Sequence, residues 1–184
     1  WAGLGSYARA RNVRKAAQQL YADFLADRAT DRADVIQHNE LSPSMQDFLA
    51  KKKDRAYWEN LPGIGTSTAA AIISQAYNSP AAILDGNVKR VLARVFALDE
   101  TIDSQEGEAK LWQWAKQLAS AQNPADYTQA IMDLGATVCT RSKPSCAVCP
   151  VQPFCQAYAQ NNVALYPKRR AKPIKPERWG IYLA

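Results

Sequence analysis

Four cysteines, Cys139, Cys146, Cys149 and Cys155, are all the cysteine that this 184-residue chain contains. They follow the spacing Cys-x6-Cys-x2-Cys-x5-Cys. Four thiolates so arranged can close a tetrahedral zinc site. They can instead ligate one iron each of a [4Fe–4S] cluster, the short x2 link reaching adjacent corners and the longer arms wrapping around it. Two disulfides are the third reading, but that suits a small loop-rich secreted scaffold, and no signal-peptide pattern opens the sequence as given. Spacing alone leaves cluster and zinc both open. Under either, the basic loop from Thr140 to Ser145, with Arg141 and Lys143, is held between the first two ligands.

A second constellation is Leu61-Pro62-Gly63-Ile64-Gly65-Thr66-Ser67-Thr68-Ala69-Ala70-Ala71-Ile72. Two glycines around one apolar residue permit a tight turn between helices. They also leave backbone N–H groups uncovered at the start of the next helix, where orphan donors and the helix dipole favour an anion. Ala69, Ala70 and Ala71 allow two helices to approach closely. The pattern is that of a helical hairpin gripping a nucleic-acid phosphate, with Gly63, Gly65 and Ser67 as the contacts. The bland alternative is an ordinary glycine turn between helices.

The third is Ile83-Leu84-Asp85-Gly86-Asn87-Val88-Lys89-Arg90. Asp85 stands where a helix N-cap would stand. It also follows an apolar run, which would place a carboxylate in a partly desolvated cleft. Lys89, Arg90 and Arg94 follow on the same helix, a suitable place for a backbone phosphate.

Charge suits a polyanionic partner, and equally a solubilising face with a basic tail. The net charge is +6, yet residues 141–184 hold eight basic residues and one acid, so the first 140 residues sum to −1. Within those, Arg9, Arg11, Arg14 and Lys15 form a basic start with no acid before residue 20. Localised cations meeting phosphates release counterions. Hydrophobic residues make up 47%, enough for a core and too many for global disorder. No apolar run approaches the roughly 18 residues that a membrane helix requires.

The elements that must position these groups read as helices. Periodicity predicts helices over 6–26, 44–60, 66–77, 88–98, 106–120 and 124–138, with Leu111, Trp112, Ala115 and Leu118 facing inward on the fifth. Residues 27–43 read as a surface loop, and 167–176 as a Lys/Arg/Pro-rich linker. Only Trp179-Gly180-Ile181-Tyr182-Leu183 suggests a strand. The class is all-α. The absence of an initial Met makes the chain read as part of a longer polypeptide.

Taken together, these segments resemble the helix-hairpin-helix DNA glycosylases that carry an iron–sulfur cluster, and within them the adenine-specific, MutY-type branch. The resemblance rests on Trp1-Ala2-Gly3-Leu4-Gly5 with Ala8-Arg9-Ala10-Arg11-Asn12, on the hairpin 61–72, on Leu84-Asp85-Gly86-Asn87-Val88-Lys89-Arg90-Val91, and on Leu134-Gly135-Ala136-Thr137-Val138-Cys139 running into the other cysteines. It implies an incomplete six-helix barrel in 1–82, with the hairpin at about 44–77. It implies an iron–sulfur module in 83–166, then a linker and the first strand of another domain in 167–184. It implies a [4Fe–4S] cluster on Cys139, Cys146, Cys149 and Cys155. Gly63, Gly65, Ser67, Lys89, Arg90, Arg141 and Lys143 are the expected DNA contacts.

The implied chemistry is hydrolysis of the N-glycosidic bond of adenine paired with 8-oxoguanine or guanine, in base excision repair. Asp85 is the implied stabiliser of the sugar cation, and Asn87 its orienting neighbour. The implied protein is a cytoplasmic, nucleoid-associated monomer acting on double-stranded DNA. The endonuclease III-type branch carries a Lys nucleophile where Ser67 stands, and without that amine no Schiff base forms by the usual route. Three departures stand out. The family's Glu that protonates the departing adenine lies upstream of the motif opening this chain. Ser6 replaces a wedging Tyr, and the 27–57 stretch is longer than usual. A metal-bearing DNA-binding module without catalysis, and a redox protein, are the readings from other classes.

Overall fold

A computed structural model describes residues 7–28, 36–37 and 40–169. Its helices are α1 (Tyr7–Arg28), α2 (Pro43–Ala50), α3 (Arg55–Glu59), α4 (Thr66–Tyr77), α5 (Gly86–Val95), α6 (Gln105–Leu118), α7 (Pro124–Asp133) and α8 (Gln156–Ala159). The architecture is all-α. Among the described residues, the one extended ladder is a two-residue antiparallel pair, β1 (Ile36–Gln37) and β2 (Glu40–Leu41), with Ile36 opposite Leu41. It falls inside the stretch expected to be a loop. Residues 1–6 and 170–184, with the Ser6 substitution and the strand expected at Trp179–Leu183, lie outside the described residues.

The helix expected over 44–60 is two helices. Apolar periodicity runs through Met45, Phe48 and Trp58, which are all buried, but local capping breaks the chain between them. Ser42 Oγ accepts from Met45 N at 3.3 Å, with Pro43 at the first helical position. Asp54 Oδ1 then accepts from Ala56 N at 3.0 Å and starts α3. Between them Lys52 O accepts from Trp58 Nε1 at 2.8 Å, tying the linking turn back onto α3.

The apolar interior forms three clusters. The smallest joins α1 and α2 through Phe24, Met45 and Phe48, with the Phe24 and Phe48 rings edge to face at 5.5 Å. The second joins α3 to α4 through Trp58, Leu61, Ala69 and Ile73. The largest runs from Ala70 through Ile83, Leu84, Val88, Leu92, Leu111 and Ile131. Ala69 and Ala70 are fully buried, so the small residues of α4 let it lie close to both α3 and α7. Leu118, expected inward, is 43% exposed.

Helix α7 does not run straight to the first cysteine. After Asp133 the chain widens into a π turn, Leu134–Val138, closed by Cys139 N donating to Leu134 O at 2.7 Å. One extra residue per turn frees carbonyls that an α-helix would have engaged. Two short 3-10 turns, Cys146–Val148 and Gln152–Phe154, then fold the cysteine segment back over α5.

Candidate functional site

The hairpin comes first. Gly63 has φ +81°, and a Cβ there would lie 2.6 Å from Asn12 Cβ of α1. Only glycine suits that turn, and α1 presses on it from outside. Gly65 precedes α4 in extended conformation, with no side-chain cap and nothing within 4 Å of where a Cβ would stand. The first N–H groups of α4 therefore meet open space. Gly63 and Gly65 are both exposed, as the phosphate reading expects.

Ser67 faces elsewhere. Its Oγ accepts from Leu84 N at 2.9 Å, bridging α4 to the segment that ends in Asp85. Nothing in the sequence signals this contact, because the partner is a backbone amide 17 residues away.

Asp85 caps α5: its Oδ1 accepts from Val88 N at 2.8 Å. That is the side chain's one hydrogen bond among the described residues, which leaves Oδ2 without a partner there. The group is half-buried, at the start of a helix whose N-terminal dipole favours negative charge. Cap and available carboxylate coexist in one side chain.

The cations of α5 depart from expectation. Lys89 Nζ pairs with Glu108 of α6 at 2.8 Å, its side chain 20% exposed. Arg90 turns inward: Nε donates to Cys139 O at 2.7 Å, and Nη2 donates to Asn87 Oδ1 at 2.9 Å and Gly135 O at 2.5 Å. Burial lowers its pKa, with Cys139 and Asp85 opposing that shift. Asn87 correspondingly turns its oxygen to Arg90 and not to Asp85, and packs where a Cβ on Gly135 would come within 2.7 Å of it. Arg94 is 3% exposed. It donates to the carbonyls of Tyr166 (3.0 Å), Thr140 (2.7 Å) and Arg141 (3.2 Å), and to Cys139 Sγ at 3.3 Å. Arg90 and Arg94, expected at a phosphate, thus direct donors to main-chain carbonyls, and Lys89 directs its ammonium to a carboxylate. The π turn and the cysteine loop supply orphan carbonyls, and Arg90 and Arg94 lie four residues apart on one helical face turned toward them.

The four cysteines line one pocket over α5, with Val91, Arg94, Val95 and Pro144. Each is a free thiol and half-buried. Burial pushes the Cys146 thiol up, and Cys139, Cys149 and Cys155 push it further the same way. Among the described residues no three His, Cys, Asp or Glu side chains converge closely enough for one ion. A tetrahedral zinc draws four sulfurs to one point, whereas a cubane takes one thiolate at each of four separate irons. The four thiols lining this pocket are the donor set for either. The loop between the first two cysteines is closed by Ser145 N donating to Val138 O at 2.9 Å and Thr140 Oγ1 to Lys143 O at 2.8 Å. It presents Arg141 and Lys143 exposed, and neither has an acidic partner among the described residues.

The glycine hairpin with its uncapped helix end, the Asp85 cap and the cysteine pocket follow one another along α4, α5 and the segment after α7. The chain belongs to the HhH-GPD superfamily of base excision DNA repair proteins, whose family model matches residues 1–117. It is 34% identical over 163 residues to the adenine DNA glycosylase of Schizosaccharomyces pombe, covering 89% of this chain and 31% of that protein. It is 32% identical over 185 residues to that of Buchnera aphidicola from Acyrthosiphon pisum, covering 100% and 46%. To the human adenine DNA glycosylase it is 36% identical over 157 residues, covering 85% and 25%. The chain thus spans between about a quarter and just under half of these relatives. Among solved structures, a thermostable thymine-DNA glycosylase superposes with TM-score 0.53 at 22% identity, covering 81% of both chains. An endonuclease III bound to DNA superposes with TM-score 0.53 at 22% identity, covering 82% of this chain and 60% of that one. These two show the fold. No helix among the described residues is long and apolar enough to cross a membrane.

Proposed function

We propose that this chain carries the base-excising centre of a monofunctional glycosylase that hydrolyses the N-glycosidic bond of adenine opposite 8-oxoguanine or guanine in double-stranded DNA. The observation that carries the reading is the pairing of Ser67 with the Asp85 segment. At the position where a lyase of this fold would need an amine, a hydroxyl is hydrogen-bonded to the chain that delivers a carboxylate. The relatives named above, all adenine DNA glycosylases, support the choice of base.

In the mechanism, the hairpin's N–H groups at Gly63 and Gly65 hold a backbone phosphate, and the exposed Arg141 and Lys143 hold another. The adenine nucleotide is turned out of the stack. Bond cleavage leaves positive charge on the sugar, which the free Oδ2 of Asp85 stabilises. Asn87 acts at one remove, pinning Arg90, which ties α5 to the cysteine loop. Departure of adenine needs a second carboxyl that is protonated, because a stabilising anion and a leaving-group acid require opposite protonation states. That acid is expected outside these 184 residues.

Cys139, Cys146, Cys149 and Cys155 would hold a [4Fe–4S] cluster, which when bound supplies four covalent cross-links and a redox couple. Protein purified anaerobically is expected to be brown and to contain iron, with broad absorbance near about 400 nm. Stoichiometric zinc without iron overturns this.

The function is tested by single-turnover adenine release from an 8-oxoguanine:adenine duplex. The 184-residue chain is compared with the same chain extended to its relatives' length. The extended protein is expected to release adenine. The short chain should be slower by at least the 10²–10⁴-fold that one general acid typically contributes, roughly 3–5 kcal/mol of barrier. Rates equal in both remove the need for a second carboxyl. Binding without release in both favours a DNA-binding module, and borohydride trapping of enzyme to DNA favours a lyase.

A further inference from the structure

Helix α4 offers one face to the chain that follows it. Ser67, Ala70 and Ser74 are three and four residues apart, so they share that face. Ser74 is fully buried, and its hydroxyl proton is shared between Ala70 O at 2.9 Å and Ala81 O at 3.2 Å. Ser67 Oγ accepts from Leu84 N at 2.9 Å. Ala81–Leu84 therefore runs back along α4, from its C-terminal half to its first turn, hung at each end on a serine. Ile83 and Leu84 are 3% and 4% exposed, so apolar burial holds the middle. The next residue is Asp85.

We propose that Ser67 is a positioning residue for Asp85, one that sets the carboxylate at a fixed offset from the phosphate-gripping end of α4. The inference rests on the excision reading above. Ser67 is the second residue of α4, within the same first turn as the N–H groups that follow Gly65. The helix end that holds the DNA backbone is thereby the same rigid body that fixes the main chain entering Asp85. Ser67 Oγ uses a lone pair for Leu84 N, which fixes the hydroxyl toward the chain entering Asp85. Without it, Leu84 N becomes a buried donor with no acceptor, and the segment must shift to find one.

The test compares Ser67→Ala with Ser67→Thr, which keeps the hydroxyl. In the 184-residue protein, amide hydrogen exchange at Leu84 is expected to be about tenfold faster in Ser67→Ala and near wild type in Ser67→Thr. Exchange at Leu92 and Leu111 should not change. Binding to undamaged duplex should stay within about twofold. In the protein extended to its relatives' length, single-turnover adenine release should fall about tenfold in Ser67→Ala, with duplex affinity unchanged and Thr restoring the rate. Unchanged Leu84 exchange in Ser67→Ala overturns the proposal, and with weakened DNA binding it leaves Ser67 a phosphate contact only. Faster exchange at Leu92 and Leu111 as well makes Ser67 a general prop, which also overturns it. No adenine release from the extended wild type sinks the excision reading instead, and Leu84 exchange still decides the brace by itself.

Discussion

Asp85 caps a helix and, in the proposed mechanism, stabilises a sugar cation, two tasks that a single substitution can separate. As an N-cap it donates nothing and accepts from Val88 N, which Asn does about as well. As a stabiliser of sugar cation it must be an anion, which Asn is not. Asp85→Asn is therefore expected to keep stability within about 0.5 kcal/mol while abolishing adenine release by the extended protein. Asp85→Ala should lose the same activity and also about 1 kcal/mol. Urea unfolding beside single-turnover assays checks both, and full activity in Asp85→Asn would remove the carboxylate from the chemistry. The carboxylate and its cap were readable from Leu84-Asp85-Gly86-Asn87, since type and position suffice for both. The inward turn of Arg90 and Arg94 was not. Their acceptors, the carbonyls of Gly135, Cys139, Thr140, Arg141 and Tyr166, lie more than 40 residues on. A cation on a helix near a presumed phosphate looks the same whichever way it faces.

The hairpin shows what an element can and cannot tolerate. Gly63 and Gly65 look interchangeable in Pro62-Gly63-Ile64-Gly65, yet their surroundings are opposite. Gly63→Ala must force a positive φ and drive Cβ into Asn12, so it is expected to destabilise the protein by roughly 1–3 kcal/mol. Gly65→Val meets open space, should leave the melting temperature nearly unchanged, and should weaken duplex binding by covering the N–H groups. If Gly65→Val binds DNA like wild type, α4 does not grip phosphate through its N-terminus. Thermal scans and fluorescence anisotropy make the comparison. Among the elements, α4 matches its expected bounds, Thr66–Tyr77. Its Gly65 entry and Asn78 exit are both local signals. The region 44–60 failed because apolar spacing stayed in phase across Lys51-Lys52-Lys53 while Asp54 capped a new helix. The turn is decided by one carboxylate, and periodicity is blind to it.

Across the whole molecule, net charge overstates what faces a polyanion. Lys89 pairs with Glu108, Lys110 with Glu100 and Lys168 with Asp99, and Arg90 and Arg94 are turned inward. Arg141 and Lys143 stay exposed on the cysteine loop, as Arg9, Arg11, Arg14 and Lys15 do on α1. Each of Arg141→Ala and Lys143→Ala should lower the slope of log affinity against log salt by about one unit or less, whereas Lys89→Ala should leave it unchanged. An unchanged slope in both loop variants removes the loop from the interface. The π turn at Leu134–Val138 carries a consequence of another kind, one of phase. An α-helix advances about 100° per residue, so a single surplus residue works like a notch in a vernier, setting the angular position of everything after it. Deleting Thr137 would let the helix close its ordinary hydrogen bonds and would cost little helicity by circular dichroism. It would also rotate Cys139 by about a quarter turn relative to its three partners. The protein should then stay folded and, under the cluster proposed above, purify without iron, a chain whose every cysteine is intact and whose site is out of step by one residue.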